Sequence, residues 1–326
     1  MVGEFDLIAA MEPFLTGSGP DVPLGTGDDA AVVDLAGCPV VVAVDTLVDE
    51  IHFDRSISSL EDVGWKALAV NVSDVAAVGA TATAAVVSLQ RPAGFDIPDV
   101  EALYGGISEG ASRWGCAVVG GDTVGGPVLA VSVTILGVPV EPGRLLRRDA
   151  ASPGQLVVLI GRLGLAAAGL ALARADRSDV LDEHPDLLAA HRRPDPQHLA
   201  AAPLVVGGAQ AGIDVSDGLG RDLGHIADES GVGIRIEAAR LPRHPGVVAA
   251  ADALGTDPLD WIVGGGDDYA LLATVEPDGL HRVETALEAS GIRSRVIGEV
   301  TDGDGVTLRS DDRPDRDLKS DGWEHP

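Results

Sequence analysis

Aspartates on glycine turns recur along this chain, most of them just after a short β-branched run. They stand in Gly25-Thr26-Gly27-Asp28-Asp29, Gly120-Gly121-Asp122-Thr123, Asp214-Val215-Ser216-Asp217-Gly218 and Gly264-Gly265-Gly266-Asp267-Asp268-Tyr269. Glycine lets the backbone bend tightly and lets a ligand approach it, so such a chain is expected to fold as short strands ending in tight turns. Between the turns the pattern shifts to alanine-rich stretches with helical spacing. In the first half this predicts strands at 40–44, 84–89, 117–119 and 128–138, and helices at 65–78 and 100–114. The pattern breaks over 139–148, where Pro-Val-Glu-Pro-Gly precedes Arg144, Arg147 and Arg148. Beyond it come a strand at 156–160, a helix at 165–175, a polar stretch to about 198, a strand at 212–215, a helix at 219–230, a strand at 233–236 and a late helix at 280–290.

A chain of 326 residues with 45% hydrophobic content can bury two cores. The expected fold is therefore α+β in two domains: 1–140, a sheet with helices, and 141–326, an α/β domain. Formal net charge is −28, and Lys66 and Lys319 are the only lysines, so no broad basic surface for nucleic acid or anionic lipid is available. Neither is expected as a partner. Surplus acid also follows from genome composition or a salty cytoplasm, so the total by itself carries no function. Cys38 and Cys116 are too few for a disulfide framework, and the first residues lack the basic and apolar regions of a signal peptide. The most apolar stretch, 156–173, is interrupted by Arg162 and reads as a buried strand and helix rather than a membrane span. The cytoplasm is the expected compartment.

Single Gly-Asp turns are usually solvated loops. Asp45 is more telling, because it ends the apolar run 40–44 at what reads as a strand end. Asn71 and Asp74 share one face of a helix whose other residues are nearly all apolar. A carboxylate there costs free energy unless a cation or hydrogen bonds compensate, and a ligand role and a helix-to-loop hydrogen bond explain the pair equally well. The segment 213–219 places an acid and a serine before a helix whose N–H groups suit a phosphate. Several acids without a matching His or Cys set point to Mg²⁺ rather than Zn²⁺. No G-x-x-x-x-G-K-[ST] loop is present, so phosphate charge would be met by metals and an arginine such as Arg148.

These motifs, in this order, resemble the thiamine-monophosphate kinase family, whose superfamily includes aminoimidazole ribonucleotide synthetase and selenophosphate synthetase. The resemblance runs from Gly3-Glu4-Phe5-Asp6-Leu7-Ile8 through Asp45-Thr46-Leu47-Val48, His52-Phe53, the segment from Lys66 to Asp74, Gly120 to Thr123, Pro153-Gly154 and 213–219 to the glycine turn before Tyr269. It implies transfer of the γ-phosphoryl of ATP to thiamine monophosphate by direct in-line displacement, with Mg²⁺ as cofactor and no covalent intermediate. Mg²⁺ ligands are implied at Asp29, Asp45, Asp74, Asp122, Asp214 and Asp217, and at Ala43 and Val44, which have no hydroxyl and offer only backbone carbonyls. ATP contacts are implied at Tyr104, Gly121, Asp122, Arg148 and Ser216, and thiamine phosphate contacts at His52, Asp267 and Trp323. A homodimer joined through the N-terminal sheets is implied as well. Asp267 replaces the usual Glu, and Gln197 stands where an Arg is common. The alternatives are another ATP-dependent enzyme of the superfamily and a non-catalytic ATP-binding scaffold. Selenophosphate synthesis is disfavoured by the lack of an N-terminal Cys with an adjacent Lys.

Overall fold

The computed structural model describes residues 4–11, 13, 15, 21–319 and 321–323. Gly3, at the start of the N-terminal motif, lies outside them. After the helix α1 (Glu4–Met11), the first domain comprises β1 (Ala31–Asp34), β2 (Pro39–Val48), α2 (Leu60–Ala77), β3 (Ala80–Arg91), α3 (Ile97–Trp114), β4 (Ala117–Gly125) and β5 (Ala130–Pro139). The second contains β6 (Leu156–Ile160), α4 (Leu165–Arg174), α5 (Ser178–Glu183), α6 (Pro185–Arg192), α7 (Ala201–Gly207), β7 (Gly212–Asp214), α8 (Leu219–Ser230) and β8 (Gly233–Glu237). It is completed by α9 (Pro245–Leu254), α10 (Pro258–Gly264), β9 (Leu271–Val275), α11 (Leu280–Ala289), β10 (Ser294–Thr301), β11 (Val306–Arg309) and β12 (Arg316–Asp317).

The first sheet runs β1-β2-β5-β3-β4 and the second β12-β11-β8-β10-β6-β9-β7. In the first, among the described residues, only β3 and β4 pair in parallel. Period-two alternation divides its faces. Val41, Ala43, Leu47, Val87, Val131 and Val133 turn inward and share one core with residues of α2 and α3. Val44, Val86, Val119, Leu136 and Val138, on the other face, remain exposed. The helix α2 begins five residues before the expected start because Ser59 caps it: the Asp62 N–H donates to Ser59 Oγ at 3.2 Å and the Ser59 N–H to Asp62 Oδ2 at 3.1 Å.

Three local expectations change. β2 continues past Asp45, paired with β5 as far as Val48 and Ala130, so Asp45 sits inside a strand rather than at its end. Gly120 and Gly121 do not turn the chain, and β4 runs on beside β3 to Gly125. A Cβ at Gly121 would lie 1.8 Å from the Val87 carbonyl oxygen, so the close approach of these two strands excludes any side chain there. The polar stretch to 198 holds α5 and α6 rather than only loop; α6 opens with Pro185 and buries Leu187 and His191 against the second domain. No helix among the described residues is long and apolar enough to cross a membrane.

Candidate active site

Three distant segments bring their acids together. Asp29 precedes β1, Asp74 lies in the last turns of α2 and Asp214 ends β7, and one carboxylate oxygen from each lies within 4.8 Å of the others. Burial, then Asp45, Asp214 and Asp29, push the Asp74 carboxyl well above its ordinary range. Asp214 is raised for the same reasons, burial first, even though Ser73 Oγ donates to it at 2.5 Å. Asp28, one residue before the cluster, is pushed up to about 7 by burial and by Asp29, against the pull of Arg148. The Arg148 guanidinium donates to Asp29 Oδ1 at 2.6 Å, and its backbone N–H reaches the Asp28 carboxylate at 3.3 Å. Asp29 Oδ2 is buried with no hydrogen-bond partner among the described residues. An orphaned carboxylate oxygen amid mutually repelling acids is the donor set a hard divalent cation takes.

Asn71 resolves to a structural role. Its Oδ1 accepts the Asp45 N–H at 3.1 Å and its Nδ2 donates to the Ala67 carbonyl at 3.0 Å, tying β2 to α2 beside Asp74.

A cavity of about 1070 Å³ opens beside the cluster, lined by Asp45, Asp74, Ser216 and Asp217 and also by His52, Asp267 and Trp323. Among its described lining residues six are acidic, Asp45, Glu50, Asp54, Asp74, Asp217 and Asp267, against one arginine, Arg174. Phe53, Leu170 and Trp261 add apolar wall. Such a chamber favours a cationic, partly aromatic ligand, and an anionic group entering it needs metal ions for company. The Val48 N–H donates to His52 Nδ1 at 3.0 Å, so the neutral ring carries its proton on Nε2.

The glycine turn before Tyr269 separates its two acids. Asp268 accepts the Gly164 N–H at 2.6 Å, at the start of α4. Asp267 has a left-handed backbone, φ 66°, stabilised by its N–H donating to the Ser216 carbonyl at 2.8 Å. A Cβ on Gly266 would come within 2.5 Å of that same carbonyl, so this turn and the Ser216 loop can pack so closely only through glycine. The Asp267 carboxylate receives Lys66 Nζ at 2.7 Å and the Tyr269 hydroxyl at 3.0 Å, and His191 Nδ1 stands 3.2 Å from it. Burial would raise this acid, but the Lys66 ammonium and His191 hold it well below the usual carboxylate range.

The N–H groups expected to await a phosphate before α8 are partly taken, because Asp222 Oδ2 accepts those of Asp217 and Gly218 at 3.2 and 3.0 Å. The segment carrying Trp323 is tied to the same loop: its N–H donates to the Asp217 carbonyl at 2.9 Å, and Arg221 donates to its carbonyl at 2.5 Å.

Matches to the AIR synthase related protein family cover residues 27–139 with its N-terminal domain and 152–311 with its C-terminal domain. The thiamine-monophosphate kinase of Mycobacterium tuberculosis is 42% identical over 253 residues, 77% of this chain and 74% of that protein. That of Bacillus subtilis is 34% identical over 330 residues, 99% of each. The chain belongs to the thiamine-monophosphate kinase family. AaThiL complexed with AMPPCP and TMP superposes at a TM-score of 0.87 and 31% identity, covering 100% of this chain and 97% of that one.

Of the residues that thiamine-monophosphate kinase resemblance singled out, Asp29, Asp74 and Asp214 converge, and Asp45, Ser216, Asp217, His52, Asp267 and Trp323 line the adjoining cavity. Five do not join them within one copy of the chain. Asp122 pairs with Ser88, in a row that continues through Ser132 to Thr46 on the open face, whereas Asp45 belongs to the inner face. Three strand spacings of ~4.8 Å put Asp122 about 14 Å from the Asp45 strand. Gly121 shares that edge strand, and Val44, 61% exposed, shares the open face. Tyr104 packs from α3 against the first core and is not among the cavity's described lining residues. Ala43 is buried in the sheet. Two contributors had no assigned role, Lys66 and His191. For Lys66 the signal was there: a lone lysine within an apolar helix.

Proposed function

We propose that this protein is an ATP-dependent thiamine-monophosphate kinase that transfers the γ-phosphoryl of ATP to the phosphate of thiamine monophosphate. The observation that carries this reading is the single cavity in which the acid cluster adjoins His52, Asp267 and Trp323. Its carboxylates and aromatic walls suit the cationic thiazolium and the aminopyrimidine of such a substrate. AaThiL, complexed with AMPPCP and TMP, supports the same pair of ligands.

Asp29, Asp45, Asp74, Asp214 and Asp217 would hold Mg²⁺, which when bound neutralises phosphate charge and aligns the two phosphates for in-line displacement. Arg148 and Ser216 are assigned to the ATP phosphates. The acceptor is already an anion, so no general base is required of the chain's own residues. Their work is to bind, to orient and to exclude water.

We assign residues 1–140 to an N-terminal ATP- and Mg²⁺-binding domain that dimerises and 141–326 to the domain completing the site, in a cytoplasmic homodimer. The exposed apolar sheet face supports a second copy as its cover. So does Asp122, whose place on that face lets it serve the other copy's site. Mixing inactive Asp74→Asn with inactive Asp122→Asn protein tests this, because mixed dimers would regain one intact site; activity that stays absent would remove the shared-site reading.

The decisive experiment is the formation of thiamine diphosphate from ATP and thiamine monophosphate with Mg²⁺, read by thiochrome fluorescence after separation. ATP binding without product would leave a scaffold.

A further inference from the structure

Lys66 is a charged residue in an otherwise apolar part of α2, and its side chain is 3% exposed. A buried ammonium is stable only where acceptors surround it. Among the described residues it has two: the Asp267 carboxylate at 2.7 Å and the His52 backbone carbonyl at 3.2 Å. These belong to opposite domains, His52 to the loop between β2 and α2 and Asp267 to the glycine turn before β9. Both residues line the cavity. Lys66 itself is not among the described lining residues, and it stands behind the wall they form. The Asp267 side chain keeps 30% exposure, so part of its carboxylate remains presented while Lys66, His191 and Tyr269 hold the rest.

We propose that Lys66 is a positioning residue for the thiamine monophosphate subsite, fixing His52 and Asp267 in one relative geometry across the domain junction. This rests on the reading of the cavity given above. A carboxylate has about four acceptor sites; Lys66 Nζ and the Tyr269 hydroxyl donate to this one and His191 Nδ1 stands 3.2 Å from it, so its orientation is fixed by these neighbours. Removing the ammonium takes from the carboxylate its charged donor, and the His52 loop loses this link to the second domain. Neither change touches Asp29, Asp74 or Asp214. Substrate binding is therefore the quantity that moves, and the chemical step is spared.

The test is steady-state kinetics on the full-length protein. Lys66→Met is expected to raise KM for thiamine monophosphate about tenfold or more, with kcat within about threefold and KM for ATP unchanged. Lys66→Gln, which keeps a donor for the His52 carbonyl, serves if the first variant does not fold. Asp267→Asn should raise the same KM, and the double variant should be no worse than the poorer single, because both changes break one unit. A wild-type KM in a folded Lys66 variant, a fall in kcat at constant KM, or additive effects in the double variant would each overturn the proposal. Wild-type protein that forms no thiamine diphosphate would instead sink the reading of the cavity, whereas active wild type with unaffected Lys66 variants sinks the role of Lys66 alone.

Discussion

Replacing Asp74 by Asn should make the metal-free protein more stable while disabling it. One oxygen from each of Asp29, Asp74 and Asp214 lies within 4.8 Å of the others. At that separation two full charges repel by about 3 kcal/mol in an effective dielectric of ~20, and Asp74 faces more than one such neighbour. Protonation limits the cost. A carboxyl with an unfolded value of 3.8 can always escape by taking up a proton, which at pH 7 costs about 4 kcal/mol at ~1.4 kcal/mol per pH unit. Asn keeps the shape without the charge but forfeits hydrogen bonds made by the acid. A net gain of about 2 kcal/mol is expected, raising Tm by roughly 3 °C for a chain of 326 residues.

The sign of the pH dependence follows from linkage. The folded Asp74 carboxyl is raised above its unfolded value, so between the two the folded state binds more protons. Stability of the metal-free wild type should therefore fall as pH rises above the unfolded value of 3.8, with Asp28, raised from 3.8 to about 7, adding to the slope between those values. The variant should show a shallower slope. Saturating Mg²⁺ should stabilise the wild type by more than the variant, and turnover in the variant should drop by at least roughly a hundredfold. Calorimetric melting in EDTA and in Mg²⁺ across that pH range, beside the product assay, measures all of this. A metal-free variant less stable than wild type, with an equal response to Mg²⁺, would refute the reasoning.

Thiamine itself should not be phosphorylated, since metals placed for an acceptor phosphate have nothing to hold on an alcohol; comparable kcat/KM for thiamine and its monophosphate would contradict this. Asp267→Ala should raise KM for thiamine monophosphate with little change in kcat, and Asp267→Glu should be tolerated because the exposed part of the side chain gives the extra methylene room; a collapse of kcat at constant KM would place this acid among the catalytic groups. Gly121→Ala would put a methyl 1.8 Å from the Val87 carbonyl oxygen and should cost more than about 2 kcal/mol in chemical denaturation, through loss of the β3 to β4 pairing.

Much of the fold was legible because its helices and strands carry strong periodicity. The alanine-rich α2, the late α11 and the run that becomes β6 fall within a few residues of expectation. The misreadings share a cause. Gly120-Gly121 was read from local turn chemistry and the end of β2 from the end of the apolar run 40–44, but pairing with β3 and β5 decided both. In α5 and α6 a polar composition suggested loop, while burial of Leu187 and His191 against neighbouring elements supports helix. Tertiary contact outweighed propensity in each case.

The site divides along the same line. Asp74 and Asp214 announce themselves because an acid among apolar neighbours is costly and needs a reason. Residue type and spacing do not separate Asp267 from Asp268, and only the family resemblance singled out Asp267, yet one lines the cavity and the other accepts an N–H at the start of α4. That choice is made by the left-handed backbone at Asp267 and by Lys66, which lies 201 residues away in the chain. Asp122 shows the other limit. Its motif identifies the residue type and the neighbouring glycines, but the face it occupies depends on the register of β4 against β3, which shifts between Ala85 and Val86. Side chains alternate with a period of two, so that one irregularity decides which face of the sheet Asp122 occupies.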